Sequence, residues 1–180
     1  MNWTDFCPTI LQWCGAPLPD EDVPLPGRSL LPILEDDRPH PGGSAWEETF
    51  FSHNFHEVTN YYPYRALRGR RYKYLRNLAH RLETPLPSDL FRSRTWTAVR
   101  EQGITMLGNR PRAGFEHQDR EALFDMETDP TEAHNLIDRP ELAGVAAAMR
   151  TRLLEFRAAT RDPWLEVSFQ EGEVAQFQPF

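Results

Sequence analysis

Proline is what most constrains this chain: it has 16 prolines against 10 glycines, and seven of the prolines fall between Ala16 and Gly43. A proline fixes φ and has no N–H to donate, so helix interiors and central strands exclude it. Long uninterrupted elements are therefore excluded from the first quarter of the chain, and the remainder is expected as short elements joined by turns. The length of 180 residues suits one domain, or one domain with an appendage. With 39% apolar and 26% charged residues, the composition is that of a globular chain and not of a disordered acidic tail.

Charge narrows the partners. The formal net charge of −7 repels phosphate backbones and anionic lipid, so neither nucleic acid nor a membrane is expected as a partner. No run reaches the length of a membrane span, and no signal peptide is recognisable at the N-terminus, so the sequence leaves the compartment unassigned. Cys7 and Cys14 are the only cysteines. Seven helical residues hold their Cα atoms about 10 Å apart, beyond disulfide reach, so they read as two buried thiols.

The periodicity gives a coarse map. Trp3 to Cys14 reads as a short helix capped by Thr4 or Asp5 and ended by Gly15, with Ile10, Leu11 and Cys14 on its apolar face. Leu30 to Leu34 makes one helical turn in the proline-rich connection. Strands are expected over Ala45–Ser52, Tyr64–Arg68, Arg71–Leu75 and Glu121–Met126, the second and third forming a hairpin around Gly69. Ser88–Gln102 predicts one helix. Pro140–Thr160 predicts another, capped by Asp138, with Leu142, Val145, Met149, Leu153 and Phe156 recurring at three- and four-residue steps and so facing a sheet. Ser168–Phe180 is expected to lie along the surface.

Two segments are chemically dense. Ser52–Tyr62 carries His53, Asn54, His56 and Glu57 between two expected strands, where binding residues gather on loops held by a sheet. The order His-x-x-His-Glu matches neither HExxH nor HxxEH, so a polar-ligand site is favoured over a metal site, alongside a purely structural loop. Arg65–Arg81 holds seven basic residues and no acidic one, a potential clamp for sulfate, phosphate or carboxylate, with Arg65 the strongest candidate because it follows the histidines so closely. For charge runs a solvated face is the commoner outcome. No phosphate-binding glycine loop, nucleophile elbow or zinc cysteine pair is present.

Collinear pieces of the chain resemble the sulfatases. They are Trp3–Leu11, Pro26–Pro32, His56–Thr59, Tyr62–Ala66, Arg71–Tyr74, Leu123–Asp125, Asp129–Glu132, Asn135–Leu136 and Thr160–Trp164, and their order is most similar to the heparan N-sulfatase (sulfamidase) branch. The resemblance covers nearly the whole chain. It implies an α+β fold, a small antiparallel sheet of about four strands packed on a long C-terminal helix, preceded by the last helix and loop of an alkaline-phosphatase-like α/β domain. Residues 1–43 are then the tail end of the catalytic domain and a linker, and 44–180 the sulfatase C-terminal domain.

The resemblance also implies chemistry that this chain does not carry. Sulfatases use a formylglycine made from a C/S-x-P-x-R motif, and a calcium held by Asp and Asn or Gln side chains. Here Cys7 is followed at once by Pro8, and Leu11 stands where the motif has arginine. No catalytic residue, no metal ligand and no cofactor is therefore expected within the chain; formylglycine and calcium are expected only in a full-length relative, upstream of Met1. The resemblance assigns substrate recognition to His56 and Glu57, with Asn54 and Arg65 behind them. The expected partners are a sulfated sugar, as substrate of the intact enzyme, and the missing catalytic domain. The expected role is thus the inactive-alone C-terminal portion of a sulfatase, whose relatives are exported or lysosomal. A free-standing module binding an acidic sugar or a protein is the alternative.

Overall fold

A computed structural model describes residues 2–19, 25–38, 43–58 and 60–166. The chain divides into two compact units, residues 42–153 and residues 1–41 with 154–180.

In the first of these, a 3-10 turn Gly43–Trp46 precedes β1 (Thr49–His56), β2 (Asn60–Arg68) and β3 (Tyr72–Asn77). β6 (Glu121–Asp125) completes a four-stranded antiparallel sheet in the order β1-β2-β3-β6. Its alternation sets one face: Leu67, Tyr74 and Leu123 pack with Ala146 and Leu153 of the helix α6 (Ala143–Ala159), as the three- and four-residue spacing predicts. Leu142, Val145 and Met149 close around that cluster. Each fully buried leucine there contributes roughly 2 kcal/mol of hydrophobic free energy. In place of an Asp138 cap, Arg139 leads into a 3-10 turn, Pro140–Leu142, ahead of this helix.

A polar network seals the edge of the core. The Tyr74 hydroxyl donates to Glu121 Oε1 at 2.7 Å, and Arg76 and Arg150 pair with the same carboxylate at 2.9 and 2.7 Å. The Arg150 hydrogen bond, ahead of Tyr74 and the other arginine, pulls the Glu121 carboxyl down to about 2. Burial first, and then the Glu121 bond, push the Tyr74 phenol up to about 12.

β2 is buried along both faces, which its mixed sequence does not announce. The reason is the excursion between β3 and β6. It contains α3 (Ser88–Phe91), α4 (Arg94–Glu101), the two-residue strands β4 (Met106–Leu107) and β5 (Arg110–Pro111), and α5 (Arg112–Glu116). Asn77 Nδ2 donates to the Tyr62 hydroxyl at 2.9 Å, and Asn60 Nδ2 to the Leu86 carbonyl at 3.1 Å, tying the excursion to the sheet. Ser88–Gln102 is therefore two helices, not one: Ser93 accepts from the Trp96 N–H at 3.0 Å and starts α4 afresh, while Pro87 is the N-cap of α3. Trp96 then packs on Phe115.

In the second unit, a 3-10 turn Trp3–Asp5 runs into α1 (Phe6–Trp13). Asn2 and Asp5, not Thr4, make the capping box, and Gly15 follows the helix end at φ 67°. Asp5 Oδ1 accepts from the Arg28 N–H at 3.0 Å and Thr9 Oγ1 from the Leu30 N–H at 2.9 Å. Gly27 passes so close that a Cβ there would run into the Thr4 carbonyl. The expected turn at 30–34 is α2 (Leu31–Leu34). The cysteines correct the sequence reading: both are exposed, because α1 turns Asp5 and Pro8 inward and leaves the cysteine side open. The apolar face expected there is likewise open, with Ile10 53% exposed. Arg157 and Asp162 form a buried ion pair at 2.7 Å just before α7 (Pro163–Glu166). Ser168–Phe180 lies outside the described residues.

Candidate functional site

The histidine segment is not a loop. β1 begins at Thr49 and continues through His56, so Ser52–His56 is strand, and the connection to β2 is only residues 57–59. The pairing runs Ser52 opposite Arg65 and His53 opposite Tyr64, slips at Asn54, and resumes as Phe55 opposite Tyr61 and His56 opposite Asn60. The slip is a β-bulge, which inserts one residue, bends the strand and re-aims the side chains beyond it.

Arg65 holds that bulge. The residue is 5% exposed, and its Nη1 donates to the His53 carbonyl, Asn54 Oδ1 and the Tyr64 carbonyl at 3.0, 3.0 and 2.9 Å. Asn54 and Arg65 are thus brought together as one polar knot. His53 adds to it: its Nδ1 lies 3.0 Å from the Tyr62 carbonyl and its ring stacks on Tyr64 at 4.9 Å. Burial, with Glu132 behind it, raises the Tyr64 phenol, which stays neutral.

His56 and Glu57 sit apart from the knot, at the hairpin tip. His56 is exposed, and its ring makes no hydrogen bond or ion pair among the described residues. Glu57 takes a left-handed φ of 57°, costing about 1 kcal/mol for a non-glycine residue. Its carboxylate accepts from the Ser88 hydroxyl at 2.8 Å and from the Ser88 N–H at 3.2 Å, latching the tip to α3. Phe55 and Tyr61 form a tilted aromatic pair at 5.4 Å on the same hairpin. The tip presents an imidazole, a carboxylate with spare lone pairs and aromatic surface, a set that binds by hydrogen bonds and stacking.

Sequence reasoning missed Ser88, because nothing local marks a partner 31 residues away. It also overrated the basic run. Arg71 pairs with Asp125 at 2.7 Å, Lys73 with Glu132 at 2.8 Å, Arg76 with Glu121 and Arg70 with Glu47 at 3.2 Å, so most of that charge is spent inside the fold. A separate concavity of about 250 Å³ lies on the sheet face away from α6, against Leu75, Ala122, Phe124 and Phe115. None of the four candidate residues lines it. Among the described residues, no group of three or more His, Cys, Asp or Glu side chains is placed to hold a metal ion.

No family model matches the chain. Over 178 residues it is 31% identical to the N-sulphoglucosamine sulphohydrolase of Homo sapiens, a match covering 89% of this chain and 33% of that protein. It is 25% identical over 173 residues to the ulvan-active sulfatase of Formosa agariphila, covering 90% of this chain and 30% of that protein. The chain therefore spans about a third of the length of the curated relatives it matches. Among solved structures, a 2-O GAG sulfatase superposes with a TM-score of 0.54 at 21% identity, over 89% of this chain and 25% of that one. A protein solved with its substrate D-glucosamine-2-N,6-O-disulfate gives 0.54 at 18% identity, over 88% of this chain and 24% of that one. At these identities the two structures speak for the fold. The small antiparallel sheet and the long helix are those of a sulfatase C-terminal region. The chain belongs to the sulfatase family.

Proposed function

We propose that this chain is the C-terminal portion of a sulfatase that removes sulfate from a sugar, with an N-sulfated glucosamine as the first substrate to test. The observation that carries the reading is the 31% identity over 178 residues to N-sulphoglucosamine sulphohydrolase, which includes the His56–Glu57 tip and the Arg65 knot within its span. His56 donates to or accepts from a sugar hydroxyl or sulfate oxygen. Glu57 fixes the tip through Ser88 and keeps lone pairs for a hydroxyl or amine. Asn54 and Arg65 are positioning residues, holding the bulge that aims the tip.

The chemistry is supplied from outside these residues. Neither the C/S-x-P-x-R motif nor a metal-ligand cluster is found among the described residues, so they do not fit a formylglycine or a calcium, and no step is routed through either here. The catalytic portion is the partner that α1 awaits: Trp3, Phe6, Ile10 and Trp13 are 84, 42, 53 and 77% exposed, an apolar face that an alkaline-phosphatase-like domain would cover.

A chimera tests this. The chain replaces the matched third of N-sulphoglucosamine sulphohydrolase, and sulfate release from N-sulfoglucosamine is measured. Release is expected, with kcat/KM at least about tenfold lower in His56→Ala, equivalent to one lost hydrogen bond of about 1.4 kcal/mol. A folded chimera that releases no sulfate overturns the reading, and equal kcat/KM in His56→Ala overturns the role of His56.

A further inference from the structure

The neutralised basic run leaves a remainder. β3 ends at Asn77, whose N–H donates to the Arg120 carbonyl at 2.9 Å, so the turn leaving β3 and the turn entering β6 lie side by side. On the first turn, closed by the Leu82 N–H donating to the Ala79 carbonyl, stand His80 and Arg81; on the second stands Arg120, and Arg76 pairs in register with Glu121 between them. Arg81 is exposed and makes no hydrogen bond or ion pair among the described residues, and Arg120 is exposed. The neighbouring carboxylates have partners elsewhere: Asp119 accepts from Asn135 Nδ2 at 2.9 Å, and Glu121 is shared by Tyr74, Arg76 and Arg150. Glu83 is exposed two residues beyond Arg81. Cationic groups thus converge from two turns at one end of the sheet.

The half-buried His80 ring records that field. Burial first, and then Arg120, Arg76 and Arg81, lower its pKa, so it is a neutral donor and acceptor ringed by guanidinium groups. The strand register puts this cluster and the hairpin tip at the same end of the sheet. Arg76 is opposite Arg65, and Asn60 lies five residues along β2 from Arg65, about 17 Å away at ~3.3 Å per residue.

We infer that Arg76, His80, Arg81 and Arg120 form a second oxyanion subsite, which takes a sulfate or carboxylate on an extended sulfated saccharide some way from the ring held at His56 and Glu57. Planar guanidinium groups suit bidentate contact with such oxygens. The choice of saccharide rests on the function proposed above; the convergence of cations does not. An oxyanion bound here replaces repulsion by attraction and raises the affinity of His80 for its proton.

The test tracks the His80 ring by NMR in the full chain, titrating pH with inorganic sulfate, with a sulfated heparin tetrasaccharide and with its desulfated counterpart. The sulfated tetrasaccharide is expected to raise the His80 midpoint by about 1 pH unit, the usual effect of a nearby opposite charge. The rise is expected to fall at least threefold in Arg81→Ala/Arg120→Ala, whose substitutions lie on exposed turns. No rise, an equal rise in the double variant, or a rise with inorganic sulfate but not with the tetrasaccharide each overturns the subsite. None of these readouts involves catalysis, so failure here leaves the chimera test of the sulfatase reading intact.

Discussion

Tyr74, Leu67 and Leu123 are each at most 1% exposed, whereas Trp3, Trp13 and Leu34 are 84, 77 and 73% exposed. The first three belong to the unit of residues 42–153 and the others to the unit of residues 1–41 with 154–180. The sheet unit buries its apolar face on α6 and so carries its own core. The other unit is held by polar contacts: Asp5 on the Arg28 amide, Thr9 on the Leu30 amide, and Arg157 on Asp162. A unit held by directed polar bonds, with its large apolar residues outside, has the composition of a surface meant to be covered. That difference assigns binding and folding autonomy to the sheet unit, and docking to the other.

The sharpest way to break the comparison is to cut the strongest polar tie. Arg157 and Asp162 have side chains 9 and 6% exposed, and Arg157 Nη2 is buried without a partner among the described residues. Asp162→Ala leaves that guanidinium buried with no counter-charge, at a cost of about 3–5 kcal/mol. Urea unfolding followed by Trp fluorescence is expected to show an early transition in the variant. If the midpoint is unchanged, polar ties do not hold this unit.

The converse test is in the sheet. Leu123→Ala removes the centre of the apolar cluster and is expected to cost about 3 kcal/mol, read from the urea midpoint by far-UV circular dichroism. A loss under about 1 kcal/mol would mean that the sheet does not depend on this core.

The polar edge of that core gives a pH signature. The Glu121 carboxyl is depressed from 4.5 to about 2 in the fold, so its contribution is complete above pH 4.5 and is lost as pH falls toward 2. The Tyr74 phenol is raised from 10 to about 12, so its share is complete below pH 10 and is lost as pH rises toward 12. Stability of the sheet unit should therefore be flat for this pair between pH 4.5 and 10. Glu121→Gln is expected to cost about 2 kcal/mol at pH 7 and to flatten the acid limb, measured as thermal midpoint against pH. An unaltered acid limb would remove Glu121 from the account.

These elements are not equally legible in the sequence. β2, β3, β6 and α6 are, because their aromatic and branched residues alternate or recur at helical steps over residues that are in fact buried. The far half of β1 is not. Histidine and asparagine are weak strand formers, and the bulge at Asn54 breaks the period of two on which the reading depends. Of the four candidate residues, His56 and Glu57 can be placed by resemblance, yet the Ser88 latch cannot, since its partners are distant in sequence. Arg65 reads as an anion clamp because it is arginine in a basic run. The structure spends its guanidinium on the carbonyls of its own hairpin. The same holds for Arg71, Lys73 and Arg76, whose carboxylates come from β6 and the loop beyond it.

The smallest effect discriminates best. If the face of α1 is a docking surface, its residues contribute to association and almost nothing to the stability of this chain. Trp3→Ser/Trp13→Ser is then expected to change the urea midpoint by no more than about 0.5 kcal/mol, the range of ordinary surface substitutions, while lowering self-association seen by sedimentation velocity. A loss of about 2 kcal/mol instead would mean that the tryptophans are buried in solution and that this unit has a core of its own. The contrast between the two units would then fail, and with it the assignment of α1 to the catalytic domain as its partner. Unchanged stability with reduced association leaves one cause for the exposed face, which is the surface that the rest of a sulfatase would cover.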